Sequence, residues 1–275
     1  AISGDEDGTL KIWDLSDIES MRGAELHDLK GHKQGINAIA VTPDGQIAVS
    51  ASSDRTLKVW SLGCGNKLCT LYGHKELVNA VAVRPEGRFA VSASNDKTLK
   101  IWDLVHGTEL YTLQGHTDFV EAVAVAPDGM RAVSASRDQT LKVWDIVQGT
   151  ELCTLSGHKD RVVATAITSD GQVAISASWD QTLRMWDLET GLEIRTLEGH
   201  TAWIEAVTVT ADGRYAVSVS RDKSLRMWDL ASGTIVATFI AEDTLRACAV
   251  AQDSRTIVTG GKSGRVHILR LEGIE

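Results

Sequence analysis

FAVSASNDKTLKIWDLVHGTELYTLQGH at residues 89–116 and RAVSASRDQTLKVWDIVQGTELCTLSGH at residues 131–158 are one segment written twice, 42 residues apart. Its Trp-Asp pair recurs at Trp13-Asp14, Trp102-Asp103, Trp144-Asp145, Trp186-Asp187 and Trp228-Asp229, with Trp60-Ser61 as a variant. Its Gly-His pair recurs at Gly31-His32, Gly73-His74, Gly115-His116, Gly157-His158 and Gly199-His200. A fixed period marks one supersecondary unit that cannot bury its apolar faces alone and must stack on its neighbours. Within the unit, VNAVAV, FAVSAS and TLKIWD alternate small or polar residues with branched apolar ones, and PEG and HGT punctuate them. Alternation at period two bounded by turn residues predicts four short strands per repeat and almost no helix.

The rest of the composition fits an ordered all-β chain. The 275 residues are 43% apolar, about twice the usual one-domain length, and the 24 glycines against 3 prolines suit many tight turns. Mean hydropathy is −0.07 and no apolar run is long enough for a membrane span. The opening AISGDEDGTL has neither the basic nor the apolar region of a signal peptide. Cysteines 64, 69, 153 and 248 make no C-x-x-C motif and no disulfide framework, which points to a reducing, cytoplasmic setting.

Gly-His, Trp-Asp and a period of 42 together resemble the WD40 β-propeller family over almost the whole chain. The resemblance implies a seven-bladed β-propeller of four-stranded antiparallel blades, forming a single domain over residues 1–275. It also implies a hydrogen-bonded tetrad in each full repeat. The matching sets are His32, Ser50, Asp54 and Trp60; His74, Ser92, Asp96 and Trp102; His116, Ser134, Asp138 and Trp144; His158, Ser176, Asp180 and Trp186; and His200, Ser218, Asp222 and Trp228.

The ends complement each other. Ser3, Asp7 and Trp13 match the second and third strands of a repeat, and TLRACAV, TIVTGG and VHILRL match the first three of a last one. Seven second and third strands are expected, but six first and six fourth strands. About 20 to 30 residues are therefore expected to precede this fragment of a longer protein, residues 1–30 and 243–275 meeting where the ring closes. The single insertion, SDIESMRG after Trp13, is read as a decorated loop with a short helical turn capped by Ser16.

No catalytic or cofactor motif survives in this frame. Fifteen aspartates are scaffold residues, in Trp-Asp pairs, tetrads and turns, so the net charge of −9 describes the scaffold and gives no basic face for nucleic acid. GGKS at 260–263 has Thr256 where a phosphate-binding loop needs its first glycine. Outside the tetrads, His27, His106 and His267 are too scattered for a metal site. The Ser, His and Asp of each repeat recur five times with a Trp, which reads as structure and not as a hydrolase triad.

Function is then sought where the repeats differ. The residue before the tetrad aspartate reads Ser53, Asn95, Arg137, Trp179, Arg221 and Lys262. The position at the start of the first strand reads Gly35, Leu77, Phe119, Arg161, Trp203 and Thr244, and two residues on stand Asn37, Asn79, Glu121, Val163, Glu205 and Arg246. By resemblance these positions lie on the family's contact face. Trp179 and Trp203 are the two tryptophans outside the scaffold, and with Phe119, Arg137, Arg161, Arg221, Glu121 and Glu205 they form the expected binding rim. Aromatic and Arg side chains are the types that concentrate binding energy. Two roles follow: a non-catalytic platform for a protein, a peptide or another domain of the same chain, or the sensor end of a larger signalling enzyme. Near-identical repeats resemble bacterial arrays fused to NACHT or NB-ARC ATPases, kinases or caspase-like proteases.

Overall fold

Short alternating segments separated by Gly- and Asp-containing turns form 26 strands in the computed structural model, which describes residues 2–14 and 24–272. The described residues contain no helix, and the expected turn at Ser16 lies outside them. The strands assemble into seven antiparallel sheets, the blades of a β-propeller.

The first blade is β1 (Ile2–Gly4), β2 (Thr9–Asp14) and β3 (Ala24–Lys30). The second is β4 (Ile36–Val41), β5 (Ile47–Ser52), β6 (Leu57–Ser61) and β7 (Asn66–Leu71). The third is β8 (Val78–Val83), β9 (Phe89–Ser94), β10 (Thr98–Asp103) and β11 (Thr108–Gln114). The fourth comprises β12 (Val120–Val125), β13 (Arg131–Ser136), β14 (Thr140–Asp145) and β15 (Thr150–Ser156). The fifth is β16 (Val162–Ile167), β17 (Val173–Ser178), β18 (Leu183–Asp187) and β19 (Glu193–Leu197). The sixth is β20 (Ile204–Val209), β21 (Tyr215–Ser220), β22 (Ser224–Asp229) and β23 (Ile235–Ile240). The seventh is β24 (Leu245–Val250), β25 (Thr256–Gly261) and β26 (Val266–Arg270). Five blades thus have four strands and the first and last have three, as the strand inventory of the repeats requires.

The chain divides into two compact units, residues 1–125 with 146–150, and residues 126–145 with 151–275. In the first, Val49, Val59 and Leu71 of the second blade pack against Val78, Trp102 and Leu104 of the third. In the second, Ile175, Leu183 and Leu197 of the fifth blade meet Ile204, Trp228 and Leu230 of the sixth, and Val217 and Met227 meet Leu245 and Ile257 of the seventh. Full burial of each such side chain is worth about 1.5–3 kcal/mol. Neither face of a blade would be covered without its neighbour.

Two β-bulges recur in the blades. On the outermost strand the extra residue lies opposite the repeat tryptophan and is Leu26, Leu68, Leu110, Ile194 or Val236. All five are exposed. A bulge twists an edge strand away from further pairing, which protects the open side of the sheet. The second bulge lies in the innermost strand, where Asn37, Asn79, Val163, Glu205 and Arg246 are the extra residues.

Candidate functional site

Each tetrad is a chain of hydrogen bonds from the middle of a blade to its turn. In the second blade the indole Nε1–H of Trp60 donates to Ser50 Oγ over 2.8 Å, Ser50 Oγ lies 2.7 Å from His32 Nε2, and His32 Nδ1 lies 2.8 Å from Asp54 Oδ2. Because the carboxylate only accepts, Nδ1 carries the proton, and Nε2 accepts from the serine. The sets at His74, His158 and His200 have the same geometry. In the fourth blade Trp144 donates to Ser134, and Asp138 accepts both the amide and the hydroxyl of Thr140.

Burial works against the Asp54 charge, but hydrogen bonds from Thr56, from the Lys33 amide and from His32 outweigh it and hold the carboxyl at about 2. Asp222 is held at about 2 in the same way, and Asp96 and Asp180 lie well below the usual carboxylate range. Burial pushes His32 and His200 below the ordinary histidine value despite their aspartates. The imidazoles are neutral structural links, and their side chains are fully shielded from solvent.

In five repeats the three variable positions are physically linked. The residue before the tetrad aspartate donates its backbone N–H to the carbonyl of the residue that opens the innermost strand. The pairs are Ser53 to Gly35, Asn95 to Leu77, Trp179 to Arg161, Arg221 to Trp203 and Lys262 to Thr244. The third position is the bulge residue, and a bulge re-aims its side chain. The side chains of the first and third positions meet in the second, third and sixth blades, as Ser53 with Asn37, Asn95 with Asn79 and Arg221 with Glu205. Asn37 bonds to Ser53 and to the Val78 carbonyl, and Asn79 bonds to Asn95 and to the Val120 carbonyl.

In the fifth and sixth blades this arrangement yields an interleaved stack. The fifth has Trp179 paired with Arg161, and the sixth has the same two residue types exchanged, Arg221 paired with Trp203. The rings of Trp179 and Trp203 lie parallel at 7° with centroids 3.8 Å apart. The Arg161 guanidinium lies 4.0 Å from the centroid of Trp179, and that of Arg221 lies 4.5 Å from Trp203 and 5.2 Å from Trp179. Arg221 also pairs with Glu205, and Arg161 approaches Asp160 at 3.9 Å. Both tryptophans are half-buried, because each covers a face of the other. The Trp179 Nε1–H is enclosed without an acceptor. Phe119 precedes β12, Glu121 lies within it and Arg137 occupies the β13–β14 turn; all three are half-buried.

A sequence profile of the family described as WD domain, G-beta repeat matches residues 23–61, 65–103, 107–145, 149–187 and 191–229. The chain belongs to the WD40 family. Among its relatives, MST50-interacting protein 11 of Pyricularia oryzae is 39% identical over 64 residues, 23% of this chain and 20% of that protein. Small ribosomal subunit protein RACK1 of Neurospora crassa is 38% identical over 64 residues, 23% of this chain and 20% of that one. NACHT domain- and WD repeat-containing protein 1 of Mus musculus is 33% identical over 69 residues, 25% of this chain and 4% of that one. Each match thus spans a fifth or less of the relative's own length.

The WD40 repeats leave few other reactive groups. Among the described residues no three His, Cys, Asp or Glu side chains gather as a metal site, and no helix is long and apolar enough to cross a membrane. His106 sits against Asp103, and the His267 ring packs on Phe239. All four cysteines are free thiols, and burial pushes Cys248 up to about 12. The innermost-strand bulge shows in the burial pattern: Val78 and Val81 are both buried although three apart, positions that a regular strand would place on opposite faces.

Proposed function

We propose that this WD40 propeller is a non-catalytic interaction platform that holds a protein or peptide on the end of the blades bearing Trp179, Trp203, Arg161 and Arg221. The Arg161–Trp179–Trp203–Arg221 stack carries the reading. Ring and guanidinium planes in contact are rigid before any partner arrives, so little rotamer entropy is lost on binding. They are also the residue types at which interface energy concentrates. Cytoplasmic action fits the free thiols, and neither nucleic acid nor a membrane suits a surface that pairs Arg221 with Glu205.

A peptide-display selection on the folded chain tests this. Enriched peptides should bind Trp179→Ala/Trp203→Ala about 30-fold more weakly, about 2 kcal/mol, while the variant keeps a cooperative unfolding transition. Peptides whose affinity ignores both substitutions would place the binding surface elsewhere. A second reading, a sensor or restraint element of a larger signalling protein, draws support from the similarity to the mouse NACHT- and WD-repeat protein. A nucleotide-binding domain in the same reading frame is its test.

A further inference from the structure

A buried cation in the second blade lacks the carboxylate that its counterparts in the third, fourth and fifth blades have, and it faces a second cation where the sixth blade has the neutral Ile235. In the third blade Lys100 Nζ donates to Glu109 Oε1 at 2.7 Å and to Thr112 Oγ1 at 2.6 Å. In the fourth, Lys142 meets Glu151 at 2.7 Å and Thr154 at 2.7 Å, and in the fifth Arg184 pairs with Glu193. The register is the same in the second blade, where Lys58 faces Thr70 across β6 and β7 and Trp60 faces residue 67. That residue is Lys67, not glutamate. Lys58 is 6% exposed, and its ammonium donates to Thr70 Oγ1 over 3.1 Å. None of the carboxylates among the described residues lies within ion-pair distance of Lys58 or Lys67.

The same cation lines a pocket of about 300 Å³ with Lys33, Arg55, Thr56 and Tyr72. Asp54, also in its wall, is already saturated: Oδ2 accepts from His32 and the Lys33 amide, and Oδ1 accepts from the amide and hydroxyl of Thr56. Neither Lys33 nor Arg55 has an ion-pair partner among the described residues. Beside Gly73 the Glu109 carboxylate comes within 2.6 Å of where a Cβ would stand, whereas beside Gly31 the nearest atoms are those of Trp60 and Lys58. Burial, reinforced by repulsion from Lys67 and Lys33, holds the Lys58 ammonium below the ordinary lysine range.

We propose that this pocket binds a dianionic phosphate group, seated between Lys58, Lys33 and Arg55 beside the place where the third, fourth and fifth blades hold a glutamate carboxylate. Replacing Glu by Lys exchanges one negative charge for one positive, so a dianion restores the balance that a single carboxylate provides next door. Arg55 supplies the planar fork suited to phosphate oxygens, and Lys58 and Lys33 act as point charges. The site is separate from the Trp179–Trp203 stack and stands without that reading.

Calorimetric titration of the full chain with inorganic phosphate and with O-phosphoserine, at constant ionic strength in chloride, tests the proposal. Saturable one-site binding is expected for at least one of them, with thermal stabilisation that grows with ligand concentration. Tighter binding of O-phosphoserine marks a phosphorylated side chain as the source of the group, and equal binding marks free phosphate. Lys67→Glu is the decisive variant, since residue 67 is exposed and the change installs the repeat's own carboxylate. It should weaken phosphate at least tenfold and raise the melting temperature in phosphate-free buffer. Glu109→Gln, in the neighbouring blade, should leave binding within twofold. Absence of saturation by either ligand, or equal affinity in wild type and Lys67→Glu, overturns the proposal.

Discussion

Replacing Asp96 by alanine removes four hydrogen bonds at once. Its carboxylate accepts from His74 Nδ1 at 2.8 Å, from the Lys75 amide at 3.0 Å, and from the amide and hydroxyl of Thr98 at 3.0 and 2.6 Å. The Lys75 and Thr98 groups sit at a turn where water replaces the lost partner, so together they cost about 1 kcal/mol. The His74 ring is different, because its side chain is 0% exposed and its Nδ1–H would be left without an acceptor, at about 1–3 kcal/mol. The total is about 2–4 kcal/mol, or a fall in melting temperature of about 4–8 °C for a chain of this size. Asp96→Asn, which keeps an oxygen facing the ring, should recover more than half of it. A double-mutant cycle locates the cost: in a His74→Leu background, Asp96→Ala should be at least about 1 kcal/mol cheaper. Equal cost in both backgrounds, or a loss under about 0.5 kcal/mol in the first, would refute the account of the tetrad as a buried structural link.

Calorimetry between pH 7.5 and 2 should show stability falling in two stages. His32 and His200 have folded values lowered by burial, so the unfolded chain binds more protons below about pH 6.5 and their contribution declines from there. The depressed Asp54 and Asp222 contribute fully above about pH 4, and that stability is lost as pH falls toward about 2; a flat melting temperature from pH 7.5 to 5 would contradict the first stage. Gly8→Ala should destabilise by at least about 2 kcal/mol and Gly45→Ala by only about 1 kcal/mol in denaturant titrations. Both have left-handed φ, 79° and 69°, but a Cβ on Gly8 would stand 2.7 Å from the Gln34 carbonyl oxygen while Gly45 has open space. A cycle of Trp179→Ala and Trp203→Ala on stability should return a coupling of about 0.5–1.5 kcal/mol, and additive losses would mean that the rings do not support each other.

Repetition makes much of this fold legible in the sequence alone. A 42-residue step aligns each strand with its counterparts, so one reading of FAVSAS and TLKIWD served six times, and the count of seven second and third strands against six first and fourth strands follows by alignment alone. Asp54, Asp96, Asp138, Asp180 and Asp222 stood out as scaffold for the same reason, through recurrence beside a Trp. The variable positions are equally visible, and Trp179 and Trp203 are the two tryptophans that the repeat does not account for.

Their arrangement was not visible. That Arg161, Trp179, Trp203 and Arg221 stack in that order depends on two blades coming side by side with their residue types exchanged, which distance along the chain does not encode. Glu205 facing Arg221 depends on a bulge that turns its side chain out of the strand's alternation. Lys67 in place of Glu109 is plain in an alignment of the repeats, yet a lysine in a strand reads as a solvated surface residue. Only packing shows Lys58 to be 6% exposed, and burial is what turns a missing carboxylate into an unbalanced charge. Local pattern determined the strands and their register; proximity between strands distant in sequence decided which charges and rings face each other.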